Sequence, residues 1–347
     1  MNTMLAAVLH GFHDLRLEQV PIPEPRQHGE VVVRIKSCGI CATDYKAITG
    51  ARTNVAFPSI QGHEASGVVS AVGPGVSHVK VGDEVIVQPL GNCGFCHACR
   101  MGNTHHCENA FVLGGDGPED VWNGAFAEYM LTRESTLYPK PKSLSWDGAA
   151  ITEPLAGAWK GLIAHSEMQI GDDVVVIGVG SIGLLCMMVA KAAGAARLIA
   201  VDSSPFARKQ ALALGATHVI DPKEPKAKQR IYDIIPAGPD VVIEAAGPIA
   251  AVKLMVDLRR RGTRWNVFGI TTDETFELNG GLTHFLEGRQ DASFGTTTVS
   301  MQKAIRLMET GLISTDAIIS HRFPLSRIHE ALKVMGSPDH NKIIVNP

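Results

Sequence analysis

Cys93, Cys96, Cys99 and Cys107 crowd into one short stretch, with two residues between the first three and seven before the fourth. Four thiolates at that spacing can close a tetrahedron around one Zn²⁺ and leave no coordination position open. Gly91, Gly94 and Gly102 supply the tight turns that such a knuckle needs. A closed site of this kind holds structure and does no chemistry. Unrelated buried thiols are the competing reading, and the clustering speaks against it. A second set has the composition of an open site. Cys41, His63, Glu64 and Glu153 supply a thiolate, an imidazole and two carboxylates, and three protein ligands plus water make a catalytic zinc site. The separation of Cys41 from His63 does not by itself mark a metal centre. Taken singly, His63 reads equally as a core histidine and Cys41 as an inert buried thiol.

A third constellation is built of glycine. Asp173-Val-Val-Val-Ile-Gly178-Val-Gly180-Ser181-Ile182-Gly183 reads as an apolar strand, a tight turn and a helix start. An acid, Asp202, ends the next apolar run. It stands about 20 residues beyond the glycines, which completes the context a dinucleotide fingerprint requires. Gly178 permits the turn, Gly180 lets backbone approach a pyrophosphate, and Gly183 lets helix pack on strand. The helix start then offers free N–H groups to phosphates. Asp202 would accept hydrogen bonds from an adenosine ribose and repel a 2′-phosphate, favouring NAD over NADP; a surface carboxylate in a loop is its rival reading.

The elements that must position these residues divide the chain in two. At 347 residues the length favours two domains. Up to about residue 150 the signals are those of short strands: Val31–Lys36, Gly67–Val72 and Glu84–Val87 are β-branched runs bounded by Gly, Pro and Asp. From about Thr152 the pattern becomes βαβ: buried parallel strands at 173–177, 198–201 and 241–243, with helices at 182–193 and 205–214. The tail reads as a helix over 299–310, a strand near 317–321 and a helix over 325–335. It is too short for a domain and is expected to return to the first one. The expected division is therefore 1–151 with 292–347, carrying a zinc lobe at about 91–108, and 152–291.

Hydrophobic content of 45% with 19% charged residues is ordinary for a globular protein. A net charge of −3 gives no electrostatic footprint for nucleic acid or an anionic membrane. The apolar stretch Val174–Ala190 is interrupted by glycines and falls short of the roughly 20 residues that a membrane span needs. Seven cysteines, four of them clustered, suit a reducing compartment better than a disulfide scaffold. The N-terminus lacks the basic region and cleavage signal of a secretory leader, so a cytoplasmic protein is expected.

The order Cys38-Gly-Ile-Cys41-Ala-Thr43-Asp44, Gly62-His63-Glu64-Ala-Ser-Gly67, four cysteines, Glu153-Pro-Leu and the glycine turn closely resembles the zinc-dependent medium-chain alcohol dehydrogenase family. The resemblance runs from about Leu5 to the end and is to the sorbitol and polyol dehydrogenase-like branch. It implies an α/β protein with a GroES-like β-rich catalytic domain and a Rossmann coenzyme domain, a doubly wound parallel sheet. It also implies two zinc ions per chain, one catalytic and one structural, with NAD as coenzyme. Cys41 and His63 match the first two ligands of the catalytic zinc, and Glu64 or Glu153 completes the sphere. Thr43 matches the hydroxyl that hydrogen-bonds the substrate oxygen, and Asp44 the carboxylate that orients His63. Lys46 stands where many relatives have a relay histidine; it replaces that histidine, contacts substrate hydroxyls or is merely solvated. Ala207 stands where many relatives carry a cation for the adenosine end, with Arg208 next to it.

The Glu-Pro-Leu branch points to a secondary alcohol of a polyol or sugar alcohol as substrate. Threonine 3-dehydrogenase and 2,3-butanediol dehydrogenase activities are the alternatives. Lys46, Phe57, Phe111 and Trp122 are the expected pocket residues, with 113–122 as a specificity loop. Relatives in this branch are dimers or tetramers, and an edge strand near 292–298 would pair across a two-fold axis. A different class altogether is a non-enzymatic zinc protein that senses redox state through Cys38 and Cys41.

Overall fold

The computed structural model describes residues 2–115, 121–270, 275, 277 and 279–347. Two compact units are present: Met1–Glu153 with Gly295–Ser337 and Lys342–Pro347, and Pro154–Phe294 with Pro338–Asn341. Among the described residues, no helix is long and apolar enough to cross a membrane.

In the first unit the spine is strand Glu30–Ile40, whose register shifts near Val32 and Ile35 let it pair along its whole length with Glu64–Val72. It also pairs with Tyr129–Arg133 and, near its end, with Lys342–Asn346. Val31, Val33 and Ile35 alternate into the core with Val69, Val85 and Met130, the period-two pattern of a strand with a buried face. Each such fully buried aliphatic side chain favours the folded state by about 1.5–3 kcal/mol. Strands Leu137–Pro139, Glu84–Val87 and Ile319–Pro324 complete this seven-stranded sheet. A hairpin of Thr3–Gly11 and Asp14–Pro21, joined by Ser59–Ile60, forms a three-stranded sheet of the same unit. Gly295–Ser337 and Lys342–Pro347 belong to this unit, and the chain's last strand there, Lys342–Asn346, is one that the sequence reading does not contain.

The second unit holds six parallel strands: His218–Ile220, Arg197–Val201, Asp173–Ile177, Val241–Glu244, Arg264–Val267 and Arg289–Ala292. Numbered along the chain, their spatial order is 3-2-1-4-5-6, the doubly wound Rossmann arrangement with its switch point between the first and fourth strands. Val174, Val175, Val176, Val241 and Val242 are completely buried, as strands covered on both faces require. Helices Ser181–Ala192 and Pro205–Leu214 follow the first two strands. The second starts with Ser204 accepting from the Ala207 N–H and ends at left-handed Gly215, the expected cap at each end. The edge strand corrects the sequence reading: it is Arg289–Ala292, not 292–298, and the next helix already starts at Thr298. Arg-Gln-Asp-Ala has no apolar signal of its own, and its extended form follows from its register with Arg264–Val267.

Candidate metal centres and coenzyme cradle

The closed knuckle is built as its spacing implies. The sulfurs of Cys93, Cys96, Cys99 and Cys107 all lie within 4.8 Å of one another. Cys107 is 3.6 Å from Cys93 and 3.9 Å from Cys96, sulfur to sulfur. A tetrahedron of thiolates around zinc has edges of roughly 3.8 Å, so the set fits the ion. The backbone N–H groups of Cys93 and Asn109 point at the Cys107 sulfur and that of Cys96 at the Cys93 sulfur. Against the opposing pull of desolvation, such N–H donors from Phe95 and Cys96 bring Cys93 down to about 6. A thiol so placed ionises readily and is ready to ligate.

The second centre forms where strand Glu30–Ile40 gives way to helix Ala42–Ile48. Cys41 is the helix N-cap, and the Asp44 carboxylate reaches back to accept from the Cys41 N–H at 2.8 Å. The other Asp44 oxygen accepts from the Gly62 N–H at 3.0 Å and faces Nδ1 of His63 at 3.1 Å. One buried carboxylate thus fixes the thiolate-bearing turn and the imidazole together. With Nδ1 committed to Asp44, Nε2 is left for a metal, and the Thr43 hydroxyl stands 3.4 Å from it. Burial opposes the charge on both partners. Even so, His63 holds Asp44 below the usual carboxylate range, and Asp44 holds His63 well above the usual imidazole range.

Glu64 joins Cys41 and His63, with one ligand atom from each lying within 4.8 Å of the other two. That limit takes in the roughly 3.3–3.8 Å edges of a nitrogen- and sulfur-ligated zinc tetrahedron, so the donor set suits the ion. Glu153, in the first turn of helix Thr152–Trp159, does not join this converging set. Its charge and that of Cys41 are felt by Lys342, whose ammonium donates to both oxygens of Glu64 at 2.7 Å. Lys342 has no counterpart in the sequence reading. The only signal for it is a cation in the apolar run Lys342-Ile-Ile-Val345, where a strand interior offers it no water.

Lys46 lies in the last turn of helix Ala42–Ile48, half-buried. Phe111 and Trp122 stack on each other with centroids 4.3 Å apart, and the Arg133 guanidinium lies over both rings. They pack against the core of the first unit. Phe57 meets Phe12 edge-on at 5.0 Å and is 39% exposed. Of the segment 113–122, residues 116–120 lie outside the described residues; Gly114 flanks the metal centre, 3.7 Å from the His63 Cβ measured from where a Cβ would stand. Cys38 is completely buried, and burial pushes its thiol well up. A neutral thiol in that position is a poor redox sensor.

In the second unit the glycine turn is shaped to be approached. Gly178 has φ +83°, and a Cβ there would stand 2.7 Å from the Ala246 backbone nitrogen. A Cβ at Gly183 would stand 1.9 Å from the Gly178 carbonyl oxygen, so only glycine lets this helix sit on its strand. At Gly180, the N-cap of helix Ser181–Ala192, a Cβ would meet nothing. Ser181 and Ile182 open the helix, and N–H groups in a first turn have no intrahelical partner and favour an anion. Asp202 accepts from the Val179 and Ser204 N–H groups, both at 2.8 Å, tying its carboxylate to the rim of the same turn. Arg208 donates to the Asp202 carbonyl at 2.6 Å and pairs with Asp221 at 3.1 Å. The structure therefore gives Arg208 protein partners at Asp202 and Asp221.

Comparison with known proteins agrees with both halves. Residues 27–142 match the Alcohol dehydrogenase GroES-like domain family and residues 181–310 the Zinc-binding dehydrogenase family. The chain is 31% identical to the sorbitol dehydrogenase of Bacillus subtilis, over 96% of this chain and 93% of that one. It is 30% identical to the L-threonine 3-dehydrogenase of Caldanaerobacter subterraneus subsp. tengcongensis over the full length of both. A putative zinc-binding dehydrogenase from Sinorhizobium meliloti, solved bound to NADP, superposes with a TM-score of 0.92 at 30% identity over all of both chains. A thiolate–imidazole–carboxylate centre, a four-cysteine knuckle and a Rossmann cradle in one chain thus have a common explanation: it belongs to the zinc-dependent medium-chain alcohol dehydrogenases, with a zinc ion and a nicotinamide dinucleotide as cofactors.

Proposed function

We propose that this chain oxidises a secondary alcohol of a polyol or sugar alcohol with NAD⁺ as hydride acceptor. The observation that carries the reading is the convergence of Cys41, His63 and Glu64 beside the Thr43 hydroxyl. Carboxylate in place of a second thiolate makes the centre harder and suits it to hydroxyl-rich substrates. When bound, the zinc supplies Lewis acidity that lowers the pKa of an alcohol, and the nicotinamide accepts hydride.

The protein's own part is positional. Cys41 and His63 hold the metal, and Asp44 fixes the imidazole so that Nε2 faces it. Thr43, 3.4 Å from that nitrogen, is placed to accept the hydroxyl proton of the substrate and relay it outward. Glycines 178, 180 and 183 open the phosphate cradle. Asp202, presenting a negative charge at the rim, supports NAD over NADP, because a 2′-phosphate there would meet like charge.

Substitution of Thr43→Val tests the relay. It keeps the shape, removes the hydroxyl and is expected to lower kcat by about 10²–10⁴-fold, with zinc content unchanged by metal analysis. Unaltered turnover would remove Thr43 from the mechanism.

A further inference from the structure

Asp202 and Asp221 stand just beyond the ends of neighbouring strands in the second unit. Val201 pairs with Ile220 in the parallel sheet, and the Asp202 N–H donates to the Ile220 carbonyl at 3.1 Å. Backbone therefore holds the two acidic residues that follow side by side. Arg208 reaches both from helix Pro205–Leu214. Its Nη1 donates to the Asp202 carbonyl at 2.6 Å and forms an ion pair with the Asp221 carboxylate at 3.1 Å. The other Asp221 oxygen accepts from the Lys223 N–H at 2.9 Å, which fixes the carboxylate in the turn after its strand. The Arg208 and Asp221 side chains are each only 19% exposed, so their attraction is screened less than that of a surface pair. The ribose acid itself is tied to the glycine turn and the helix start through the Val179 and Ser204 N–H groups.

In a Rossmann cradle an acid after the second strand reads a ribose 2′-hydroxyl, whereas an arginine nearby can accommodate a 2′-phosphate. This chain carries both residue types, so the choice between the two coenzymes depends on what Arg208 is given to meet. A guanidinium is a strong partner for phosphate, but one already paired with a carboxylate has its charge answered. Two carboxylates against one guanidinium leave this corner with a negative charge in excess, and a 2′-phosphate would add to it. We propose that Asp221 sets the choice of coenzyme by holding Arg208 away from that role. Asp221 is then a specificity-determining residue that acts through Arg208 and not by touching the coenzyme. The inference rests on the reading that the chain uses NAD⁺ with Asp202 as its ribose acid.

The test is direct binding of NADH and NADPH to the zinc-loaded protein, followed by the change in their own fluorescence at one fixed ionic strength. The wild-type chain, Asp221→Asn and the double variant Asp221→Asn/Arg208→Met are compared. The wild type is expected to bind NADH more tightly than NADPH. Asp221→Asn is expected to narrow that gap in Kd by at least about tenfold, chiefly by tightening NADPH, because the released guanidinium meets the phosphate. The double variant removes the cation together with its partner and is expected to restore the wild-type gap. Asp221→Ser, which keeps an oxygen for the Lys223 N–H, is read in the same way if Asp221→Asn does not fold. A folded Asp221 variant with the wild-type gap would overturn the proposal and leave Asp221 a purely structural acid. A double variant that keeps the gain in NADPH affinity would also overturn it, because Arg208 would not be the group released. Failure of the underlying reading looks different: the wild-type chain would itself bind NADPH as tightly as NADH.

Discussion

Asp44 is the residue on which the open metal centre turns. It accepts from the Cys41 and Gly62 backbones and faces His63, so one side chain orders two prospective ligands, Cys41 and His63, from different parts of the chain. Asp44→Asn keeps the volume but removes the charge that sets the imidazole. The expected result is a loss of metal affinity at this site of about 10–100-fold, measured by chelator competition, with the four-cysteine zinc untouched. Equal affinity in the variant would mean that His63 is oriented by other groups. At this scale the sequence was legible where partners are close along the chain: four cysteines in one short loop, or Cys41, Thr43 and Asp44 on one turn. Lys342 was not legible, because its partner Glu64 is 278 residues away. Nothing local marks a lysine as buried and paired. The relation of Glu64 to Glu153 was undecidable from sequence for the same reason, since it depends on which carboxylate the sheet brings forward.

At the scale of elements, one carboxylate gathers three contacts that help fasten the tail within the first unit. Asp147, in helix Trp146–Ala150, accepts from Ser37 at 2.8 Å, from Asn346 at 3.0 Å and from Arg322 at 2.6 Å. Burial raises its pKa, but Arg322, Asn346 and Ser37 together hold it below the ordinary carboxylate value. A folded-state pKa below the unfolded one gives stability that is fully present above the unfolded value, about 3.9, and lost as pH falls through the folded value. Asp147→Asn is therefore expected to cost about 1–3 kcal/mol near pH 7. The gap between variant and wild type should close in urea melts taken progressively below about pH 4. A gap independent of pH would assign the effect to shape and not to charge. The zinc knuckle gives a second expectation. Cys93→Ser should lose one of two zinc ions and lower the melting temperature, and activity should fall along with folding. Lost activity in a fully folded, assembled variant would contradict a structural role. Strands rich in valine and isoleucine and helices with clear caps, such as Pro205–Leu214, were readable from sequence. The edge strand Arg289–Ala292 was not, because its conformation comes from its neighbour. The short C-terminal strand Lys342–Asn346 was missed although its apolar run is plain, since so short a run says little until Glu30–Ile40 offers it an edge.

For the whole molecule, the same chain supplies a metal-holding β-rich unit and a Rossmann unit, and the chemistry proposed here needs both. The family follows from residue order and is matched along the full chain by enzymes of more than one substrate class. Substrate choice is the part of the account that fold similarity leaves free, because it depends on a few side chains around one hydroxyl. The most direct measurement is the initial rate of reduced coenzyme formation by the zinc-loaded protein over C4–C7 polyols, threonine, 2,3-butanediol and ethanol, with NAD⁺ and again with NADP⁺. The account predicts turnover of polyols with NAD⁺, and kcat/KM at least about tenfold lower with NADP⁺, given the like-charge penalty of several kcal/mol at Asp202. Turnover confined to threonine or butanediol, or a preference for NADP⁺, would contradict it.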